Sequence, residues 1–175
     1  MTIKGTGDFT NRLNEVKVGD PAKIDLAYGA FTPRDYPDSR YVMVAGGVGI
    51  TPIYGILKTL KEQGTPPKDR DNPPNVILIY SVHHETDILF RGDLESWFEK
   101  FSNWQLHIIC SSQPDWPGLK GRLTPERILT ICGENLRGTF FLCGPVGLIR
   151  SVRTFLKAHR VPRRNVKWEQ FIFLP

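Results

Sequence analysis

Residues 46–52 read Gly-Gly-Val-Gly-Ile-Thr-Pro, a set of types suited to holding a diphosphate rather than to breaking bonds. Gly46, Gly47 and Gly49 can adopt positive φ and let a ligand approach the main chain. A glycine turn that leads from a strand into a helix aims backbone N–H groups at an anion. Thr51 is a good N-cap, and Pro52 suits the first helical position, where its missing N–H costs nothing. Taken alone, the turn serves equally well in a fold that binds nothing. It is not the G-x-G-x-x-G fingerprint, and no Gly-Lys-Ser/Thr follows it, which excludes a P-loop phosphate-transfer enzyme. A second cluster, Cys143-Gly144-Pro145, follows another apolar run. Cys143 reads either as a buried core cysteine or as a small, polarizable wall beside a flat ring.

The elements that must position these residues alternate along the chain. Residues 41–45 and 76–80 are near-continuous apolar runs, as expected of parallel strands buried on both faces. Residues 106–110, 139–143 and 166–171 read as further strands. Between them lie helical stripes: Ile53, Ile56, Leu57 and Leu60 with a stop at Gly64; Leu94, Trp97, Phe98 and Phe101; Ile128, Leu129 and Ile131 after Thr124-Pro125; and Ile149, Val152 and Leu156. Five strands alternating with helices predict an α/β fold with a doubly wound, five-stranded parallel sheet over residues 39–175. Ligands of such sheets sit at the carboxyl ends of the strands, which here carry Gly46-Gly47, Ser81, Ser111, Cys143-Gly144-Pro145 and Glu169. Residues 1–38 break the alternation: a turn at Val18-Gly19-Asp20, an alternating run over 22–26 and a glycine turn at 27–31 suggest the tail of a β unit and a linker.

Composition narrows the classes. The chain has 175 residues, 40% of them hydrophobic, enough for a proper core, and a net charge of +5. The densest basic stretch runs from Arg150 to Lys167; it reads as a solvated face or as a docking surface for anionic ligands or membrane headgroups. Aromatic and basic residues do not interleave as single-stranded nucleic acid requires, so no nucleic-acid partner is expected. Cys110, Cys132 and Cys143 are odd in number and widely spaced, which suggests a reducing, cytoplasmic compartment and no disulfide framework. The absence of a C-x-x-C pair argues against zinc and iron–sulfur sites, and no metal ligand set is assigned.

In order along the chain, Gly46 to Pro52, Trp116-Pro117-Gly118-Leu119-Lys120-Gly121-Arg122, Cys143-Gly144-Pro145 and Glu169-Gln170-Phe171 resemble the NAD(P)-binding domain of the ferredoxin–NADP reductase superfamily. The look is that of its ferric reductase, NADPH oxidase and NADH-dependent flavin reductase branches. The segment Gly7-Asp8-Phe9-Thr10 resembles the family's G-x-x-S/T contact to the FAD diphosphate, and residues 27–31 resemble the end of its flavin barrel. The upstream flavin motif R-x-Y-S/T has no counterpart. Arg34-Asp35-Tyr36 imitates it but lies past the barrel's end. Residues 1–38 are therefore expected to be the C-terminal remnant of an FAD-binding barrel with its linker.

The resemblance implies an NAD(P)H-binding half of a flavoprotein oxidoreductase, which passes hydride from NAD(P)H to FAD and electrons onward to haem, ferric iron or an iron–sulfur protein. FAD would belong to the complete protein, whose missing barrel would be the first partner and whose membrane haem domain a further one. A non-catalytic nucleotide-binding or regulatory module that has lost its barrel is the alternative. Gly46, Gly47, Gly49, Ile50, Thr51, Pro52, Gly144 and Pro145 would hold the diphosphate and nicotinamide, with Cys143 and Glu169 at the reacting end. Glu169 otherwise reads as a surface ion-pair partner. Phe171 or Phe173 would cover the flavin, and Gly7 and Thr10 would touch its diphosphate. Ser81, Asp87, Ser111 and Arg122 would line the adenosine side. Asp87, in a T-x-x-D-I-L-like segment, would repel a 2′-phosphate. With no arginine among residues 81–84, NADH is favoured over NADPH.

Overall fold

The computed structural model describes residues 5, 8–23, 29–63 and 74–171. The chain divides into two units, Met1–Ala30 and Phe31–Pro175. In the first, a short helix α1 (Asp8–Asn11) runs into a 3₁₀ turn, Arg12–Glu15. A turn closes where the Asp20 N–H donates to the Lys17 carbonyl at 3.1 Å, with Gly19 at φ +102°. No strand is formed by the described residues of this unit. Most of the expected run at 22–26 lies outside them.

The second unit is a six-stranded parallel sheet with helices on both faces. In chain order the elements are β1 (Arg40–Gly46), α2 (Ile50–Gln63), β2 (Asn75–Val82), α3 (Arg91–Lys100), β3 (Trp104–Cys110), β4 (Leu119–Lys120), α4 (Pro125–Cys132), β5 (Thr139–Pro145), α5 (Val146–Ala158) and β6 (Val166–Phe171). The sheet order is β4-β3-β2-β1-β5-β6. The doubly wound sheet expected from the alternation is present, with one strand more than the five read from the apolar runs. The extra strand, β4, pairs only Leu119 and Lys120 with Ile109 and Cys110. Both of its residues are exposed, so it leaves no hydrophobic pattern to read. The expected helix stop, Gly64, falls outside the described residues.

The alternation of side chains along a strand builds two cores from one sheet. Tyr41, Met43 and Ala45 of β1 face one side, where Ile53, Leu57 and Leu60 of α2 and Leu94, Trp97 and Phe98 of α3 cover them. Val42 and Val44 face the other, under Ile128 of α4 and Ile149, Val152 and Leu156 of α5. Phe140 and Phe141 divide in the same way. Each such apolar side chain contributes about 1.5–3 kcal/mol on full burial.

Residues 31–39 are tied to this sheet. Phe31 meets Phe141 edge-on at 5.1 Å. The Tyr41 hydroxyl donates to the Tyr36 carbonyl at 3.1 Å and accepts from the Asp38 N–H at 2.9 Å. The Asp38 carboxylate in turn accepts from the Thr139 hydroxyl at 2.9 Å. Arg40 donates to the carbonyls of Cys132 and Asn135 and so pins the end of α4.

Tyr80 does a similar job at the other end of the sheet. Its hydroxyl donates to the Asp87 carbonyl and accepts from the Leu89 N–H, both at 3.3 Å, while the residue is 0% exposed. Burial pushes its phenol up to about 12, so it stays a neutral donor. Tyr80→Phe removes one partner from two part-buried backbone groups and is expected to destabilise the fold by about 1 kcal/mol, read as a lower urea midpoint at unchanged slope. An unchanged midpoint would mean that the loop after β2 is held by other contacts.

Candidate functional site

The chain starts at β1, winds out through β2, β3 and β4, then returns to β5 on the other side of β1. The helix after β1 packs on one face and the helix after β5 on the other. Their connections diverge at the carboxyl ends of β1 and β5, the switch of direction at which open sheets of this kind form their ligand-binding crevice.

Both walls of the crevice are glycine-rich, and the glycines differ in role. A Cβ built on Gly49 would lie 2.2 Å from the Cys143 carbonyl oxygen and 2.8 Å from the Gly144 nitrogen. One on Gly46 would meet the Leu148 and Pro145 side chains at 2.7 and 2.8 Å. One on Gly144 would stand 3.0 Å from the Gly46 nitrogen. These three let the two loops touch. Gly47 is different: φ is +53°, and nothing lies within 4 Å of where its Cβ would be. Of the glycines assigned to the coenzyme from sequence, Gly47 is the one that faces open space, whereas Gly46, Gly49 and Gly144 are occupied by protein on their Cβ side.

The local backbone also revises the reading of the next three residues. β1 passes directly into a 3₁₀ turn, Gly47–Gly49, and α2 begins at Ile50. Thr51 is thus the second residue of the helix rather than its N-cap, and Pro52 the third, still inside the first turn where proline is tolerated. Ile50 is 0% exposed, and its N–H donates back to Gly47 and Val48; neither its side chain nor its N–H is available to a coenzyme. The Thr51 hydroxyl oxygen is buried and has no hydrogen-bond partner. A buried hydroxyl left unmatched costs about 1–3 kcal/mol, an expense that a ligand at this crevice would relieve.

Strand register fixes the neighbours. Gly46 stands opposite Ser81, Ala45 opposite Cys143, and Cys143 opposite Glu169. Gly46–Thr51, Ser81, Cys143–Pro145 and Glu169 are therefore gathered at one end of the sheet. Glu169 and Pro145 are exposed, and Ser81 is half-buried. Phe171 ends β6. Asp87 follows β2, the strand that carries Ser81, Ser111 follows β3 one strand further out, and Arg122, exposed, follows β4 at the far edge. Thr10 lies in α1 of the first unit, half-buried. Gly7 and Phe173 lie outside the described residues.

Cys143 is 0% exposed and belongs to the core cluster beneath the crevice. Burial pushes its thiol up to about 12, with the Glu169 carboxylate adding to the shift. It is a neutral thiol at physiological pH, unsuited to act as an ionised nucleophile. In the turn after β2, the Asp87 carboxylate accepts from the His84 N–H at 3.0 Å and lies 3.6 Å from the His84 ring nitrogen, capping the turn Glu85–Asp87. Ser111 hydrogen-bonds the His83 ring at 3.0 Å.

Several contacts in this region were not read from sequence, although Trp116 and Gly118 belong to a segment that was. The Gln113 side-chain oxygen accepts from the Glu85 N–H at 2.7 Å, and Arg91 pairs with Glu85 and Glu95 while lying 5.6 Å from the Trp116 ring. Trp116 is buried, and Gly118 leaves room for its indole nitrogen, which would stand 2.5 Å from a Cβ there. These partners are scattered along the sequence without a periodic signal.

All three cysteines are buried as free thiols, and the native chain at pH 8 is expected to resist iodoacetamide over a time in which the urea-unfolded chain labels at every thiol. Because the Cys143 and Cys132 values rise from 9.0 to about 12 and about 11, the stability they secure is complete below pH 9 and lost as pH rises through those values. A pH titration of the urea midpoint checks this; a flat profile to pH 11, or rapid native labelling of Cys143, would contradict the burial.

The comparisons agree with this architecture. A family model, the oxidoreductase NAD-binding domain, matches residues 43–154. The chain is 28% identical to the glycine betaine monooxygenase reductase subunit of Chromohalobacter salexigens, over 98% of this chain and 46% of the relative. It is 30% identical to NADH-cytochrome b5 reductase 1 of Scheffersomyces stipitis, over 84% of this chain and 51% of the relative. The chain thus spans about half the length of these curated relatives. The fold matches a ferredoxin NADP+ reductase from Neisseria gonorrhoeae, solved with bound FAD and NADP, at a TM-score of 0.76 and 23% identity, over 96% of this chain and 71% of that one. With the family model covering most of the sheet and both crevice loops, the chain belongs to the oxidoreductase NAD-binding domain family of the ferredoxin–NADP reductase superfamily.

Proposed function

We propose that this chain is the NAD(P)H-binding half of a flavoprotein oxidoreductase, holding the reduced dinucleotide across the crevice between the loops after β1 and β5. The observation that carries the reading is the pairing of open space at Gly47 with the buried, partnerless hydroxyl of Thr51 on a helix that begins at that point. The positive end of the helix dipole favours the diphosphate, and the hydroxyl supplies a hydrogen-bonding group for the dinucleotide next to it. Cys143 would form a neutral, non-basic floor under the nicotinamide end. The exposed Glu169, opposite it in register, would supply the acceptor for an amide edge. Bound reduced nicotinamide supplies a hydride; these residues bind and orient it and add no charge beneath it.

FAD fits the described residues less well. Those of the first unit contribute a four-residue helix and turns but no strand, so they offer a flavin no cradle. The first unit, with the linker up to residue 38, is read as the remnant of a flavin barrel whose remainder would hold the FAD. Reductase relatives of about twice this length support that division of labour, with electrons passing onward to a haem, ferric iron or iron–sulfur acceptor, in the setting of a soluble or membrane-attached cytoplasmic protein. No described helix is long and apolar enough to cross a membrane. The second reading, a nucleotide-binding module without catalysis, draws on the same lack of a flavin cradle.

NADH is the preferred coenzyme on this reading. Asp87 follows β2 with its carboxylate half-exposed, and a 2′-phosphate near it would meet like charge. Arg122 is the cation that could offset this from the far edge.

Calorimetric titration with NADH and NADPH tests both points. Saturable binding of NADH is expected, and Thr51→Val should weaken it about tenfold, the worth of one hydrogen bond of about 1.4 kcal/mol. The same substitution should leave the urea midpoint unchanged or higher, because it removes an unmatched hydroxyl. Full affinity in Thr51→Val would place the coenzyme elsewhere, and no binding of either coenzyme at millimolar concentration would favour the module reading.

The coenzyme preference has its own variant. Two unit charges 4 Å apart in water interact by about 1 kcal/mol, so Asp87→Asn, which keeps a capping side chain, should narrow the NADH-over-NADPH preference about fivefold. An unchanged ratio would remove Asp87 from coenzyme choice.

A further inference from the structure

Between Glu134 and Glu169 the sequence holds eight lysines and arginines and no acidic residue. That local charge exceeds the +5 of the whole chain, so the remainder is net acidic. The fold gathers the run on one side of the second unit. The buried stripe of α5, Ile149, Val152, Phe155 and Leu156, faces the core. Arg150, Arg153 and Lys157 recur at helical spacing on its other side, and Arg160, Arg163 and Arg164 continue the line through the connection to β6. Arg150, Lys157, Arg160, Arg163 and Arg164 are exposed. None of them has an ion-pair partner among the described residues.

The line ends on an open sheet edge. Among the described residues β6 pairs with β5 alone. Trp168 on that strand is 39% exposed, and the Arg153 guanidinium lies over its ring at 3.5 Å. An arginine stacked on an exposed tryptophan, flanked by further arginines, has the composition enriched where proteins bind one another. Arginine outnumbers lysine along the line, which suits forked pairing with carboxylates. α5 starts at the crevice and runs towards the amino ends of the strands, so the line leads away from the coenzyme walls.

We infer that the α5–β6 side of this domain is a docking surface for an acidic protein, with Arg153 and Trp168 at its centre and the unpaired cations around them. Such a surface steers the approach of a negatively charged partner and loses its pull as salt rises. The inference does not depend on the coenzyme reading, because every residue in it lies outside the crevice.

The test uses the whole chain and poly-L-glutamate as the acidic polypeptide, with vesicles of phosphatidylcholine and phosphatidylserine at a ratio of about 3:1, an anionic surface screened over the same Debye length, as the competing probe. The double charge reversal Lys157→Glu with Arg164→Glu should lower poly-L-glutamate affinity at least tenfold at low ionic strength. An equal reversal elsewhere, Lys17→Glu with Lys58→Glu, should change it less than threefold. NADH titration of both variants reports separately on the crevice. Trp168→Phe should abolish the change in tryptophan emission on binding. Equal losses in the two double variants would reduce the effect to net charge and overturn the proposal. So would the absence of poly-L-glutamate binding, or tighter binding to the vesicles than to the polypeptide.

Discussion

The approach of two backbones governs this domain. The loop after β1 and the loop after β5 meet with no side chain between them: a single Cβ at Gly49 would fall 2.2 Å from the carbonyl oxygen of Cys143. Gly46 and Gly144 close the same contact from the other direction. Because β1 and β5 are hydrogen-bonded neighbours whose helices leave to opposite faces, this contact sets how the crevice walls meet. A side chain there would push the walls apart and shift the start of α2. The glycines of the signature therefore divide their labour: three allow protein to touch protein, and Gly47 leaves its outer side to solvent or ligand.

Charge is arranged consistently with that geometry. Below the crevice everything is neutral: Cys143 is held as a thiol by burial, and its neighbours in the cluster are Ala45, Tyr80 and other uncharged side chains. Charge appears only at the periphery, with Glu169 on one flank and the Asp87 turn on the other. A redox cofactor that delivers a hydride needs its ring positioned and kept from water more than it needs an acid or base. On the proposed reading, a floor that cannot ionise and walls made of main chain meet that requirement with few specialised residues.

The fold was legible wherever burial leaves a pattern. The apolar runs at 41–45 and 76–80 became β1 and β2 because strands covered on both faces must be hydrophobic throughout, and the stripes of α2 and α5 became helices packed on opposite faces. β4 was invisible because a two-residue exposed strand carries no such pattern. At the site, residue types marked the loops but not the division of labour within them. Gly47 and Gly49 are alike as letters, and only the position of the Cys143 carbonyl distinguishes them. Thr51 read as an N-cap because its type and the following proline fit that place, whereas the 3₁₀ turn at Gly47–Gly49 carries the chain into the helix earlier. Ile50 took a place in the core for the same reason. Contacts such as Gln113 with Glu85, or Arg91 with Trp116, join residues far apart in sequence and depend on the packed sheet to exist.

The Thr51 hydroxyl is the point where stability and binding pull in different directions. Folding alone would prefer valine there, a near-isostere that leaves nothing unmatched in a half-buried position. Keeping a hydroxyl with no protein partner costs the free chain stability of order 1 kcal/mol, and the same group returns that free energy when a ligand supplies the missing hydrogen bond. On the proposed reading, the empty crevice carries that unmatched group and the filled one would not, so part of the binding energy would come from satisfying the protein rather than from holding the ligand. Preorganisation of this kind requires that the hydroxyl cannot turn back to its own helix, and the geometry meets the condition: its oxygen finds no carbonyl one turn earlier, because that turn is the tight glycine segment that brings the two loops together. The close contact of Gly49 with Cys143 and the free hydroxyl of Thr51 are thus two consequences of one backbone path.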